Sequence, residues 1–214
     1  MIIVLAAILA GCASAPKNAT SSWREKKTQP PKLVPNSSEA SATIRTVIRE
    51  AAGTLTRADL KKVERLDLKD NQITDLTPLA KLTGLKELNL LDNKITDLTP
   101  LTRMNKLEWL YLGNNQITDL TPLERLTNLT ILGLNNNKIT DLTPLERLAN
   151  LTNLGLSFNE IHDLTPLRGL KKLKVLHLID KRFYLPDNPS RTFAEIDKLR
   201  QTLPNCVIHH NARK

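Results

Sequence analysis

Leu85-Lys86-Glu87-Leu88-Asn89-Leu90-Leu91-Asp92-Asn93-Lys94-Ile95-Thr96-Asp97-Leu98-Thr99-Pro100-Leu101-Thr102-Arg103-Met104-Asn105-Lys106 is one copy of a twenty-two-residue passage that the chain writes five times, from Val63, Leu85, Leu107, Leu129 and Leu151. Four copies carry Ile-Thr-Asp-Leu-Thr-Pro-Leu unchanged, and the fifth reads Ile161-His162-Asp163-Leu164-Thr165-Pro166-Leu167. Seven apolar positions recur in each copy, in the second Leu85, Leu88, Leu90, Ile95, Leu98, Leu101 and Met104. That spacing is neither a helical nor a strand period. Leu88-Asn89-Leu90 alternates and reads as a short strand, while Asp97 to Leu101, with proline at its fourth place, suits an irregular or 3-10 return path. Each copy is therefore one coil, and because a lone coil cannot bury enough apolar surface to order itself, the coils must stack into a solenoid.

Two polar columns run through the stack. Asn71, Asn93, Asn115, Asn137 and Asn159 follow the strand, where the chain turns inward with unpaired backbone groups. An amide donates and accepts, so these five are expected to form a buried structural ladder. Asp75, Asp97, Asp119, Asp141 and Asp163 sit on the outer turn, where local turn bonding is expected rather than metal binding. Neither a metal nor any other cofactor is expected.

The pattern L-x-x-L-x-L-x-x-N-x-I-x-D-L-x-P-L-x-x-L resembles the leucine-rich repeats of bacterial internalins and of protein-phosphatase regulatory subunits. The resemblance implies an α/β right-handed solenoid with a concave parallel sheet and convex 3-10 or irregular returns. It also implies binding rather than catalysis. A stack exposes an apolar face at each end, which terminal segments must cover. Residues 39–62, with Ile44, Val47, Ile48 and Ala51 at helical spacing and Thr56 placed to cap, read as a helical N-terminal cap. Residues 63–172 hold the five repeats. Residues 173–214 read as a degenerate sixth repeat, then a helix from Ser190 to Leu203 with Phe193, Ile196, Leu199 and Leu203 on one face, then a short closing strand.

At the other end, Ile2 to Gly11 is about 15 Å long as a helix, too short to span a bilayer. Leu9-Ala10-Gly11-Cys12 resembles the bacterial lipobox, which implies that residues 1–11 are a lipoprotein signal peptide and that Cys12 is the lipidation site. Residues 12–38, rich in Pro, Ser, Thr and Lys, read as a disordered basic tether. Cys206 would then have no disulfide partner and reads as a small cap residue. The implied setting is the bacterial cell envelope, with the chain lipid-anchored to a membrane.

The net charge of +9 raises the question of nucleic acid. The repeats, however, carry thirteen basic and fourteen acidic residues, so the excess lies in the tether and caps. That distribution suits an anionic surface better than a reader of bases, and no nucleic-acid partner is expected. No His-Glu-x-x-His, Gly-x-Ser-x-Gly or phosphate loop is present, so the chain does not read as an enzyme.

The residues flanking the central strand leucine point out of the concave face. One such column reads Arg65, Glu87, Trp109, Ile131, Asn153 and Val175, the other Asp67, Asn89, Tyr111, Gly133, Gly155 and His177. In a chain with only 3% aromatics, Trp109 and Tyr111 on one strand are informative. They are expected to form an apolar step beside Ile131, above a shallow trough at Gly133 and Gly155, with Phe158 nearby on a loop. Arg65, Asp67, Lys69 and Glu87 are the expected polar rim. Exposed aromatic clusters mark interfaces, so this is the expected protein-partner site of a monomer. Two alternatives remain: a structural envelope component bridging membrane and wall, or, if the lipobox is not used, a cytosolic regulatory subunit.

Overall fold

A computed structural model of the chain describes residues 63–179 and 189–210, the side chains of the second stretch from Ala194 onward. The proposed signal peptide, tether and N-terminal cap fall outside the described residues, and so does the side chain of Phe193. Each coil supplies one three-residue strand: β1 Arg65–Asp67, β2 Glu87–Asn89, β3 Trp109–Tyr111, β4 Ile131–Gly133, β5 Asn153–Gly155 and β6 Val175–His177. A seventh strand, β7 Val207–His209, comes from the C-terminal segment. All pair in parallel, in sequential order β1 to β7, and every pair is in register at a shift of twenty-two residues up to β6.

Strand and return alternate as the sequence pattern requires. The return of each coil is a 3-10 turn beginning at Thr77, Thr99, Thr121, Thr143 or Thr165, with the repeat proline at its second position, where a missing N–H costs no hydrogen bond. Just before each turn the repeat aspartate takes the N–H two residues on. Asp75 accepts from Thr77, Asp97 from Thr99, Asp119 from Thr121, Asp141 from Thr143 and Asp163 from Thr165, each at 2.8 Å. The Thr99 and Thr143 hydroxyls, and then their N–H groups, hold the carboxyls of Asp97 and Asp141 below the usual range. Local turn bonding is thus what this column does.

The seven repeated apolar positions all face one core. Leu85, Leu90, Ile95, Leu101 and Met104 are completely buried, and Leu88 and Leu98 are 1% exposed. Running beside them is the asparagine column. The Asn115 carboxamide oxygen accepts from Ile95 N–H at 3.0 Å, in the preceding coil, while its nitrogen donates to Leu90 O of that coil and to Leu112 O and Gly113 O of its own. Asn93, Asn137 and Asn159 make the same set one coil up or down. A single side chain therefore fastens two coils. The expectation of five equal members needs one correction: Asn71 is only half-buried and donates within its own coil, to Lys69 O. Among the described residues no coil precedes it for its carboxamide to bridge.

The C-terminal segment closes the stack as read from sequence. Helix α1, Pro189–Thr202, lays Ile196 and Leu199 on the core, joined by Leu203 just past its end. Arg168, in the last 3-10 turn, reaches Glu195 at 3.2 Å, and Lys171 donates to Thr202 O at 3.0 Å. The following strand β7 then pairs with β6, Val175 opposite Val207 and His177 opposite His209.

Because the Asn115 carboxamide satisfies four backbone groups, of which the buried ones cannot turn to water, Asn115→Ala is expected to cost about 2–4 kcal/mol in urea unfolding. Asn71→Ala is expected to cost under about 1 kcal/mol. Equal costs at the two positions would contradict the inter-coil role.

Candidate functional site

The parallel register puts the two concave columns side by side, and it brings some of the expected residues together and not others. Trp109 on β3 lies between Glu87 and Ile131, and Tyr111 lies between Asn89 and Gly133. Both aromatics are half-buried rather than fully exposed. Burial, and secondarily the Glu87 carboxylate, raises the Tyr111 phenol above its usual range, so it stays a protonated donor at neutral pH.

The expected bare trough is filled. A Cβ built on Gly133 would lie 3.4 Å from Tyr111 Cδ1, so the phenol ring leans over that glycine. At Gly155 a Cβ would come within 2.7 Å of the Asn135 carboxamide, whose oxygen accepts from Ser157 N–H at 2.9 Å. Both glycines are buried as a result. They make room for side chains of the preceding coil, and the surface above them is formed by Tyr111 and Asn135. Sequence reasoning missed Asn135; the signal was the glycine one coil further on in the neighbouring column.

The polar rim is already engaged within the chain. Arg65 pairs with Glu87 at 3.1 Å across β1 and β2, Lys69 reaches Asp92 at 3.6 Å, and Asp67 accepts from Lys69 N–H at 3.0 Å. Such partly exposed pairs contribute little to stability and can be redirected to a partner at low cost.

Phe158 stands apart from this patch, in the loop column Asp70, Asp92, Asn114, Asn136 and Phe158, each with positive φ between 55 and 62°. Aspartate and asparagine tolerate that left-handed conformation; a phenylalanine does so at a cost. The column also carries side-chain bonds, Asn114 donating to Asp92 Oδ1 and Asn136 to Asn114 Oδ1 at 2.8 Å. Phe158 is the last member of the column among the described residues, and it is 40% exposed. An exposed aromatic held in a costly backbone conformation is a candidate contact residue.

The concave columns also continue past the last full repeat. Val207 extends the Trp109 column and is 56% exposed, and His209 extends the Tyr111 column, its ring stacked on His177 at 4.7 Å with 10° between the planes. Burial, and then the neighbouring His209, lowers the His177 imidazole below its usual range. Burial, and then Arg200, whose guanidinium lies 2.7 Å from Nε2, lowers His210. Cys206 is half-buried against the core, and desolvation pushes its thiol up to about 11, so it is no nucleophile at neutral pH. Among the described residues no group of three or more His, Cys, Asp or Glu could hold a metal ion.

Residues 61–103 and 105–147 match the family described as Leucine Rich repeats (2 copies). No curated protein matches the chain. Among solved structures, internalin C2 of Listeria monocytogenes is 32% identical, with 79% of this chain and 81% of that one covered and a TM-score of 0.54. Internalin InlF of the same organism is 26% identical over 81% of this chain and 55% of its own, with a TM-score of 0.55. A leucine-rich-repeat protein of Leptospira interrogans is 32% identical over 70% of this chain and 38% of its own, with a TM-score of 0.61. The chain thus spans about half the length of InlF and under two-fifths of the Leptospira protein.

Replacing Phe158 by asparagine relieves the backbone and lets the loop column continue, so Phe158→Asn is expected to raise unfolding stability by about 1 kcal/mol. A loss of stability would show that the ring is held by packing. The histidines predict a pH trend. The unfolded chain takes up protons on His177 and His210 at higher pH than the folded one, so this contribution is complete above the ordinary histidine range and falls as pH drops through it. The urea midpoint is therefore expected to fall from pH 7.5 to 5, and to fall less in His177→Gln/His210→Gln.

Proposed function

The chain belongs to the leucine-rich-repeat proteins, with repeats of the internalin type, and from that premise we propose that it is a lipid-anchored recognition module of the bacterial cell envelope, binding a protein partner on its concave face. Proteins of this architecture are in general binding proteins, since stacking yields an extended concave surface whose outward side chains vary freely over a fixed core. The observation that carries the reading is the break in uniformity at β3. Trp109 and Tyr111 share one strand, beside Ile131 and over Gly133, and no other described strand sets two aromatic rings on the concave face.

Tryptophan and tyrosine supply large contact area at low entropy cost and are favoured where binding energy concentrates. Around them, Arg65, Asp67, Lys69 and Glu87 offer charges for orientation, Asn135 and Val207 extend the surface toward the C-terminal end, and Phe158 offers a separate contact on the loop beside it. The membrane anchor rests on Leu9-Ala10-Gly11-Cys12, with the basic segment 12–38 as its tether. A lipidated Cys12 would present the concave face outside the bilayer at a distance set by that tether.

Two measurements bear on the two halves of the reading. For a partner captured by crosslinking to the concave face, Trp109→Ala and Tyr111→Ala are each expected to weaken binding at least tenfold, with circular dichroism unchanged. Unchanged affinity would remove the patch from consideration. For the anchor, a clickable fatty acid is expected to label the wild-type chain and not Cys12→Ala.

A further inference from the structure

The near neutrality of the repeats conceals a separation of charge. In each coil an outgoing segment, from the second concave position to the leucine before the 3-10 turn, is followed by a returning one that begins with the turn. The outgoing segments are 67–76 and its four equivalents; the returning ones are 77–84 and its equivalents. Across the five coils the outgoing segments carry three basic and nine acidic residues, the returning ones eight basic and two acidic. One flank of the solenoid is thus net −6 and the other net +6.

The local reason is visible at each turn. An aspartate caps its start, as Asp75 does for Thr77, and a cation stands at or just past its end, as Lys81 does. Cations suit the carbonyl end of a helical turn and carboxylates the amide end. Repeated at every coil, this preference builds two opposed flanks. The basic column Lys81, Arg103, Arg125 and Arg147 is exposed throughout, and of these only Arg125 has an ion pair among the described residues, a 3.7 Å contact with Glu124 that leaves its side chain 77% exposed. Lys106 and Lys172 widen the column into a band.

We infer that this returning flank docks on an anionic phospholipid bilayer, laying the solenoid on its side so that the concave sheet remains open beside the membrane. The inference rests on the membrane-anchored reading above, which keeps the flank near a bilayer, and adds an orientation to it. A band several residues wide suits a surface better than a single-file polyanion. A second copy of the chain is the less suited occupant, because its acidic column already accepts the threonine N–H groups at every turn. The two charge columns lie about 10 Å apart across the turn, comparable to the screening length at 0.1 M salt, so the acidic flank opposes docking only weakly.

The test uses the full chain carrying Cys12→Ala, so that no acyl chain contributes, and vesicles of phosphatidylcholine with or without 30 mol% phosphatidylglycerol. Arg103→Gln/Arg147→Gln is compared with Lys94→Gln/Lys138→Gln, which removes the same charge from the other flank. At 0.1 M salt the parent is expected to sediment with the anionic vesicles only. The arginine variant is expected to lose roughly thirtyfold in partitioning and the lysine variant no more than a few-fold, circular dichroism being unchanged in both. The inference is overturned by absence of vesicle binding, by equal losses in the two variants, or by a loss that appears only as reduced self-association in sedimentation velocity or only on soluble polyphosphate. Fatty-acid labelling at Cys12 separately decides the anchor, so the two failures are distinguishable.

Discussion

Everything in this fold depends on the buried asparagine carboxamide that fastens each coil to the one before it. The leucines supply the driving force, but apolar contact is non-directional and would tolerate a coil slipped or tilted against its neighbour. Asn93, Asn115, Asn137 and Asn159 remove that freedom, because their oxygen and nitrogen find partners in two coils only at one register. The register then aligns the strands, and aligned strands line up the side chains on either side of the central leucine. A continuous concave surface made of single residues from successive coils exists only because that alignment is enforced.

The architecture of the repeats was legible almost completely, since a period of twenty-two with fixed leucines, asparagine and proline leaves one way to stack. The sixth strand, the C-terminal helix and the closing strand also stand where their apolar residues placed them. The surface was less legible. From sequence Gly133 and Gly155 look like a gap, but the space a glycine leaves is taken by whichever neighbour is long enough, here Tyr111 and Asn135. Exposure was misjudged for the same reason: Trp109 and Tyr111 are half-covered by neighbours one strand away, 22 residues off in the chain. The left-handed backbone at Phe158 could have been inferred from Asp70, Asp92, Asn114 and Asn136 in the same column, residues whose chemistry favours that conformation.

Charge shows how a sum can mislead where a position does not. Thirteen basic and fourteen acidic residues give a repeat region of nearly zero charge, yet the same residues sorted by their place around the coil form two flanks of opposite sign. The sorting follows from local preferences at the two ends of a 3-10 turn and requires no separate selection for a dipolar molecule. Periodicity turns a preference worth a few tenths of a kcal/mol at one turn into a property of the whole surface.

The strictly sequential strand order has a mechanical consequence. Since every strand pairs only with its sequence neighbours, no strand pairing among the described residues closes the sheet upon itself, and within the sheet each coil is held by the coils on either side of it. Pulled from one end, such a molecule yields like thread from a spool, each coil releasing about 70 Å of chain while its neighbours remain wound. A solenoid held at one end and loaded at the other is therefore also a shock absorber, lengthening in steps and rewinding when the load is removed.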